Sequence, residues 1–110
     1  MKKELGYIGL GKMGKNMVFR LLESGWNVVG YDNAPERVNE IANKGALGVT
    51  GLKDLVSKLA LPRTIWLMVP HQAAEGVINE LVQLIDKGDL IIDGGNSPYQ
   101  ESARRAKELA

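Results

Sequence analysis

Near the start of the chain, Gly9-Leu10-Gly11-Lys12-Met13-Gly14 sets glycine at the first, third and sixth of six positions. Before this segment, Leu5 to Gly9 is a short apolar run that reads as a buried strand. After it, Met13, Met17, Val18, Leu21 and Leu22 fall on one helical face, and Gly25 closes that helix. The glycines thus join a strand to a helix with almost no intervening chain. Gly9 permits the tight turn, Gly11 bares the backbone, and Gly14 lets the helix pack closely on the sheet. The helix then points its free N–H groups and the positive end of its dipole at the turn, an arrangement that binds phosphate. The plainer alternative, glycines that only make a turn, explains the bend but not the full spacing in this context.

The same alternation continues to the end of the chain. Asn27 to Tyr31 reads as a second strand ending at Asp32. Pro35 opens a helix with Val38, Ile41 and Ala42 inward, and Gly45 ends it. Ala46 to Val49 is a short third strand. A helix from Leu52 to Leu59 is stopped by Pro62. Arg63 to Val69 is apolar on both faces, as in a strand covered on both sides. A helix from Ala73 to Ile85 carries Ala74, Val77, Ile78, Leu81, Val82 and Ile85 on one stripe. Leu90 to Asp93 is a fifth strand, and a last helix begins near Pro98. Such alternation specifies an α/β fold, a Rossmann-type doubly wound parallel sheet of about five strands in the order 3-2-1-4-5. The pattern breaks off at Ala110 within a helical stretch. The expectation is one dinucleotide-binding domain over residues 1–110, incomplete at its C-terminal end.

Composition narrows the partners. Fourteen basic against thirteen acidic residues leave a net charge of +1, which offers nothing to nucleic acid or an anionic membrane. No apolar run approaches the ~20 residues of a membrane helix. There is no cysteine, hence no disulfide framework or thiolate chemistry. No secretory signal pattern is present, so a cytoplasmic location is expected.

Asp32 stands 18 residues after Gly14, at the end of the second strand. A carboxylate there accepts hydrogen bonds from the adenosine ribose hydroxyls, each worth roughly 1.5–3 kcal/mol. A 2′-phosphate at the same place is repelled by about 4 kcal/mol at ~4 Å and an effective dielectric of 20. Asn33 and Ala34 bring no charge, and Arg37 sits a helical turn beyond Pro35. NAD is therefore expected over NADP, and Asp32 can also cap the following helix. The other strand ends place Val69, Pro70 and His71, and then Asp93-Gly94-Gly95-Asn96-Ser97, on the nicotinamide side. Gly94 and Gly95 let backbone approach a ligand, and Asn96 offers a donor and an acceptor. His71, the only histidine, reads as a solvated loop residue rather than a base.

The segments Gly6-Tyr7-Ile8-Gly9-Leu10-Gly11-Lys12-Met13-Gly14-Lys15-Asn16-Met17, then Ile91-Ile92-Asp93-Gly94-Gly95-Asn96-Ser97-Pro98-Tyr99 and Arg104-Arg105, carry a resemblance. The first resembles the β-hydroxyacid dehydrogenases in general, and the second the 6-phosphogluconate dehydrogenases in particular. The resemblance implies a cytoplasmic dimer that oxidises 6-phosphogluconate at C3 and releases CO2 to give ribulose 5-phosphate. It implies that Gly9, Leu10, Gly11, Lys12, Met13 and Gly14 hold the cofactor. Asp32, Asn33 and Ala34 hold the adenosine ribose, and Val69, Pro70 and His71 the nicotinamide half. Asn96 contacts both cofactor and substrate. NADP-preferring members carry Asn-Arg-Ser/Thr in place of Asp32-Asn33-Ala34, which again favours NAD, and His71 replaces a small residue. The catalytic lysine and glutamate and the all-helical dimerisation domain are implied beyond position 110. No catalytic residue and no metal site is assigned here, and residues 1–110 alone are expected to be inactive. Two other readings stay open: another β-hydroxyacid dehydrogenase, such as one for 3-hydroxyisobutyrate, and a non-catalytic NAD-binding module.

Overall fold

The computed structural model describes residues 3–94. Five strands, β1 (Glu4–Ile8), β2 (Asn27–Tyr31), β3 (Leu47–Gly48), β4 (Thr64–Leu67) and β5 (Leu90–Asp93), alternate with helices α1 (Lys12–Glu23), α2 (Pro35–Ala42), α3 (Leu52–Ser57) and α4 (His71–Val82). Every pairing is parallel, and the strands lie in the order β3-β2-β1-β4-β5. This is the doubly wound Rossmann-type arrangement expected from the alternation.

Period-two alternation sorts the strand side chains between two cores. On one face Ile8, Val29, Ile65, Leu67 and Ile91 meet Leu52, Leu55 and Val56 of α3 and Ile78 and Leu81 of α4. On the other, Leu5, Tyr7 and Val28 meet Val18 of α1 and Val38 and Ile41 of α2, with Trp66 and Met68 alongside. The chain moves outward from β1 through β2 to β3, then crosses back to β4 on the other side of β1. The carboxyl ends of β1 and β4 are therefore where the strand order reverses, and a crevice opens there.

Local details follow the sequence signals with some corrections. At the end of α1 the Trp26 N–H donates to the Leu21 carbonyl and the Gly25 N–H to the Leu22 carbonyl, the paired bonds that end a helix at glycine. Ala42 and Val82, expected to face inward, are exposed, because each sits at the last turn of its helix and is rotated off the stripe. Helix α4 begins at His71 rather than Ala73. Pro70, with φ −57°, is its N-cap, and its carbonyl accepts bonds from the Ala73 and Ala74 N–H groups. His71 thus lies in the first turn of a helix, not in a loop. The helix expected from Pro98 lies outside the described residues.

Candidate functional site

The crevice is built from the glycine turn upward. Gly9 adopts φ +101°, a left-handed conformation that excludes most side chains, and its N–H donates to the Tyr31 carbonyl at 3.0 Å. A side chain on Gly14 would collide with the Gly9 carbonyl oxygen, so α1 rests directly on the turn. Gly11, the N-cap of α1, differs from both. No atom lies within 4 Å of the place where its Cβ would stand, so its missing side chain serves open space and not packing. The first turn of α1 carries no acidic residue, and its first intrahelical bond runs from the Lys15 N–H to the Gly11 carbonyl at 2.8 Å. The N–H groups of residues 12 to 14 precede that bond and have no partner within the helix. Bare backbone, free donors and the positive dipole end meet at one point, which suits a diphosphate.

Asp32 follows β2 directly, and its side chain is only 6% exposed. Its Oδ2 accepts the Leu10 N–H at 2.7 Å, and its Oδ1 accepts the Ala34 N–H at 2.8 Å. The carboxylate therefore pins the glycine turn to the loop after β2. It does not cap α2: Ala34 is the N-cap, without a side-chain bond, and Asp32 closes a local turn one step earlier. A carboxylate has about four lone-pair sites, so capacity remains for ribose hydroxyls. Arg37, the nearest candidate cation in the sequence but a helical turn beyond Pro35, places Nη1 3.5 Å from Asp32 Oδ2. The first turn of α2 folds back over the strand end, and three-residue spacing from Ala34 turns the guanidinium toward the acid.

These groups border one cleft of about 620 Å³. Of the residues expected from the sequence to hold the cofactor, Gly9, Gly11, Asp32, Asn33, Val69 and Pro70 lie on its wall. The Leu10 side chain is buried in the α1-side core, and its N–H is taken by Asp32. Lys12 and Met13 stand exposed at the start of α1, Gly14 is buried beneath them, and Ala34 is half-buried. The His71 backbone opens α4. Asn96, Gly95 and Ser97 lie outside the described residues. Gly94, expected to admit a ligand, has its space filled by protein: a side chain there would collide with the Trp66 indole.

Sequence reasoning missed Met68, Ala73, Val77 and Glu80, which also line the cleft, together with Arg37, weighed from the sequence only as a cation near Asp32. For three of them the sequence carried a partial signal, which did not place them on the cleft. Positions 73, 77 and 80 share one face of a helix, beside the buried stripe of Ala74, Ile78 and Leu81. No group of three or more metal-ligating side chains occurs among the described residues.

Residues 4–110 match a family model described as the NAD binding domain of 6-phosphogluconate dehydrogenase. A decarboxylating 6-phosphogluconate dehydrogenase of Ceratitis capitata is 43% identical over 114 residues, covering 98% of this chain and 24% of that protein. A decarboxylating, NAD(+)-dependent 6-phosphogluconate dehydrogenase of Haloferax volcanii is 42% identical over 105 residues, covering 94% of this chain and 35% of that protein. The 6-phosphogluconate dehydrogenase of Plasmodium falciparum has been solved in its apo form, with its cofactor NADP+ and with its substrate 6-phosphogluconate. It superposes with a TM-score of 0.81 at 30% identity, covering 96% of this chain and 24% of that one. The chain spans about a quarter to a third of the length of these relatives.

Proposed function

The chain belongs to the family of the NAD binding domain of 6-phosphogluconate dehydrogenase, and from that membership we propose that it holds the cofactor of an enzyme oxidising 6-phosphogluconate. In that reaction the C3 hydroxyl becomes a ketone and the product loses CO2 to give ribulose 5-phosphate. The cofactor supplies the hydride acceptor. The donors at the start of α1 hold its diphosphate over Gly11, and Asp32 accepts from the adenosine ribose. Val69 and Pro70 give the nicotinamide half an apolar wall that excludes water, with His71 beside them. Asn96, outside the described residues, is assigned to both cofactor and substrate on the family resemblance. Leu10, Lys12, Met13 and Gly14 contribute through the turn and the start of α1, and Asn33 and Ala34 frame the ribose. Residues 1–110 by themselves bind cofactor without turnover.

The observation that carries this reading is the open space over Gly11 beside a buried Asp32 carboxylate on the same cleft. The test is turnover of the full-length protein on 6-phosphogluconate with NAD, following CO2 and ribulose 5-phosphate. Turnover of 3-hydroxyisobutyrate instead, or of no hydroxyacid, overturns it.

NAD is the proposed cofactor, because a buried Asp32 repels a 2′-phosphate. One observation favours a second reading. Arg37 stands close enough to Asp32 to neutralise it, and a guanidinium binds phosphate well. NADP use then depends on Arg37. Replacing Arg37 with Ala is expected to change the NAD Kd less than about fivefold, since an ion pair with a half-exposed guanidinium contributes ~0–1 kcal/mol. Replacing Asp32 with Ser is expected to weaken NAD by about tenfold or more and to narrow the gap to NADP. A wild-type protein that prefers NADP and loses it in R37A establishes the second reading.

A further inference from the structure

With the diphosphate on the α1 turn and the ribose on Asp32, the adenine ring takes the rest of the same cleft, which α4 also lines with Ala73, Val77 and Glu80. These positions are four and three residues apart and form one helical face. Ala73 and Val77 offer an apolar surface to a purine. Glu80 follows them outward and is exposed. Among the described residues it makes no side-chain hydrogen bond or ion pair, whereas Lys15, Arg37 and Arg63 each have an acidic partner.

A carboxylate accepts hydrogen bonds and donates none at neutral pH. At the edge of adenine opposite the ribose, the exocyclic 6-amino group donates. A 6-oxo purine puts an acceptor there instead, and two acceptors repel. We propose that Glu80 selects the adenine base of the dinucleotide by accepting a hydrogen bond from its 6-amino group. Nothing in the sequence motifs points to this residue. The proposal rests on the placement of the cofactor argued above, and it adds a base-reading residue to a cleft otherwise read by its phosphate and ribose contacts.

The experiment compares Kd values of NAD and nicotinamide hypoxanthine dinucleotide, by calorimetry, for the full-length protein and its E80Q and E80A variants. The wild type is expected to prefer NAD by about five- to tenfold, the value of one charge-assisted bond discounted for exposure. In E80Q the amide both donates and accepts, so the two dinucleotides should bind within about twofold of each other. E80A should lose the preference by weakening NAD and by relieving the repulsion on the 6-oxo analogue. A wild type without preference, or an E80Q or E80A variant that keeps the wild-type ratio, overturns the role of Glu80. Failure of the wild type to bind NAD at all overturns instead the placement of the cofactor.

Discussion

Gly11 and Gly14 are three residues apart and oppose substitution for opposite reasons. Gly14 is closed in by the Gly9 carbonyl, while Gly11 faces open space. Replacing Gly14 with Ala is expected to cost stability, about 1–3 kcal/mol, as for other overpacked sites. Replacing Gly11 with Val is expected to cost no more than about 1 kcal/mol, the loss of a better N-cap residue, because φ −65° suits any residue and no atom blocks the side chain, yet to raise the NAD Kd at least tenfold. Denaturant titration and calorimetry on the two variants check this separation, and a G11V protein with wild-type affinity refutes the diphosphate assignment. A second residue, Tyr7, is fully buried, and its hydroxyl has no hydrogen-bond partner among the described residues. Burial pushes its pKa up from 10.0 to about 12. Replacing Tyr7 with Phe removes an unsatisfied group, so stability is expected to rise by about 1 kcal/mol or more. The unfolded chain releases this proton near pH 10 and the folded one only near pH 12. Wild-type stability therefore falls across that window, and the advantage of Y7F should widen as pH rises above 10. Urea melts at pH 8 and pH 10.5 measure both effects.

Among the elements, β4 and β5 are tied at their amino ends, far from the cleft. Asp89, just before β5, is 2% exposed. It accepts the Arg63 N–H at 2.6 Å, the Arg63 Nη1 at 2.9 Å and the Asp86 N–H at 2.9 Å. Arg63 also donates Nε to the Val56 carbonyl at 3.0 Å, joining the end of α3 to the knot. Burial alone would raise the Asp89 pKa. The backbone bonds from Asp86 and Arg63, and the guanidinium with its charge, outweigh it and hold the carboxyl below 3.8. A depressed folded-state pKa contributes stability above the unfolded value, lost as pH falls through the folded value. Acid destabilisation is therefore expected below about pH 4, and D89N should abolish that component while costing about 2–3 kcal/mol at pH 7. Acid melts of the two proteins decide it; identical pH slopes would remove Asp89 as the cause. Most element boundaries were legible in the sequence, because apolar spacing and glycine stops are local signals. The start of α4 was not: Pro70 reads as a loop residue until its carbonyl is seen to accept the Ala73 and Ala74 N–H groups.

At the scale of the whole molecule, the cleft lies at the carboxyl ends of the neighbouring strands β1 and β4, where the strand order reverses, so a dinucleotide bound there touches both halves of the sheet. A ligand that binds only the folded state stabilises it by RT ln(1 + [L]/Kd), about 2.7 kcal/mol at a hundredfold excess over Kd. For a domain of roughly this size that corresponds to a Tm increase on the order of 10 °C. Melting the protein at rising NAD concentration is expected to show a logarithmic increase, and a Tm indifferent to NAD contradicts the site. The net charge of +1 gives no long-range attraction for an anionic cofactor. Capture thus rests on the local donors at the start of α1.

The sequence by itself determined the order of strands and helices, the parallel sheet, the glycine turn and the acid that follows β2. Each is written in spacings of a few residues, which local sterics and hydrophobic periodicity translate directly into structure. Only the tertiary structure decided that Asp32 locks the turn through the Leu10 N–H, 22 residues away, and that Arg37 folds back onto that acid. It alone decided that Glu80 of α4 lines the same cleft as Gly11. Those relations join segments whose local patterns are independent of one another: the first two arise once β2 pairs with β1, and the last only when the chain crosses back over β1 to β4 and α4.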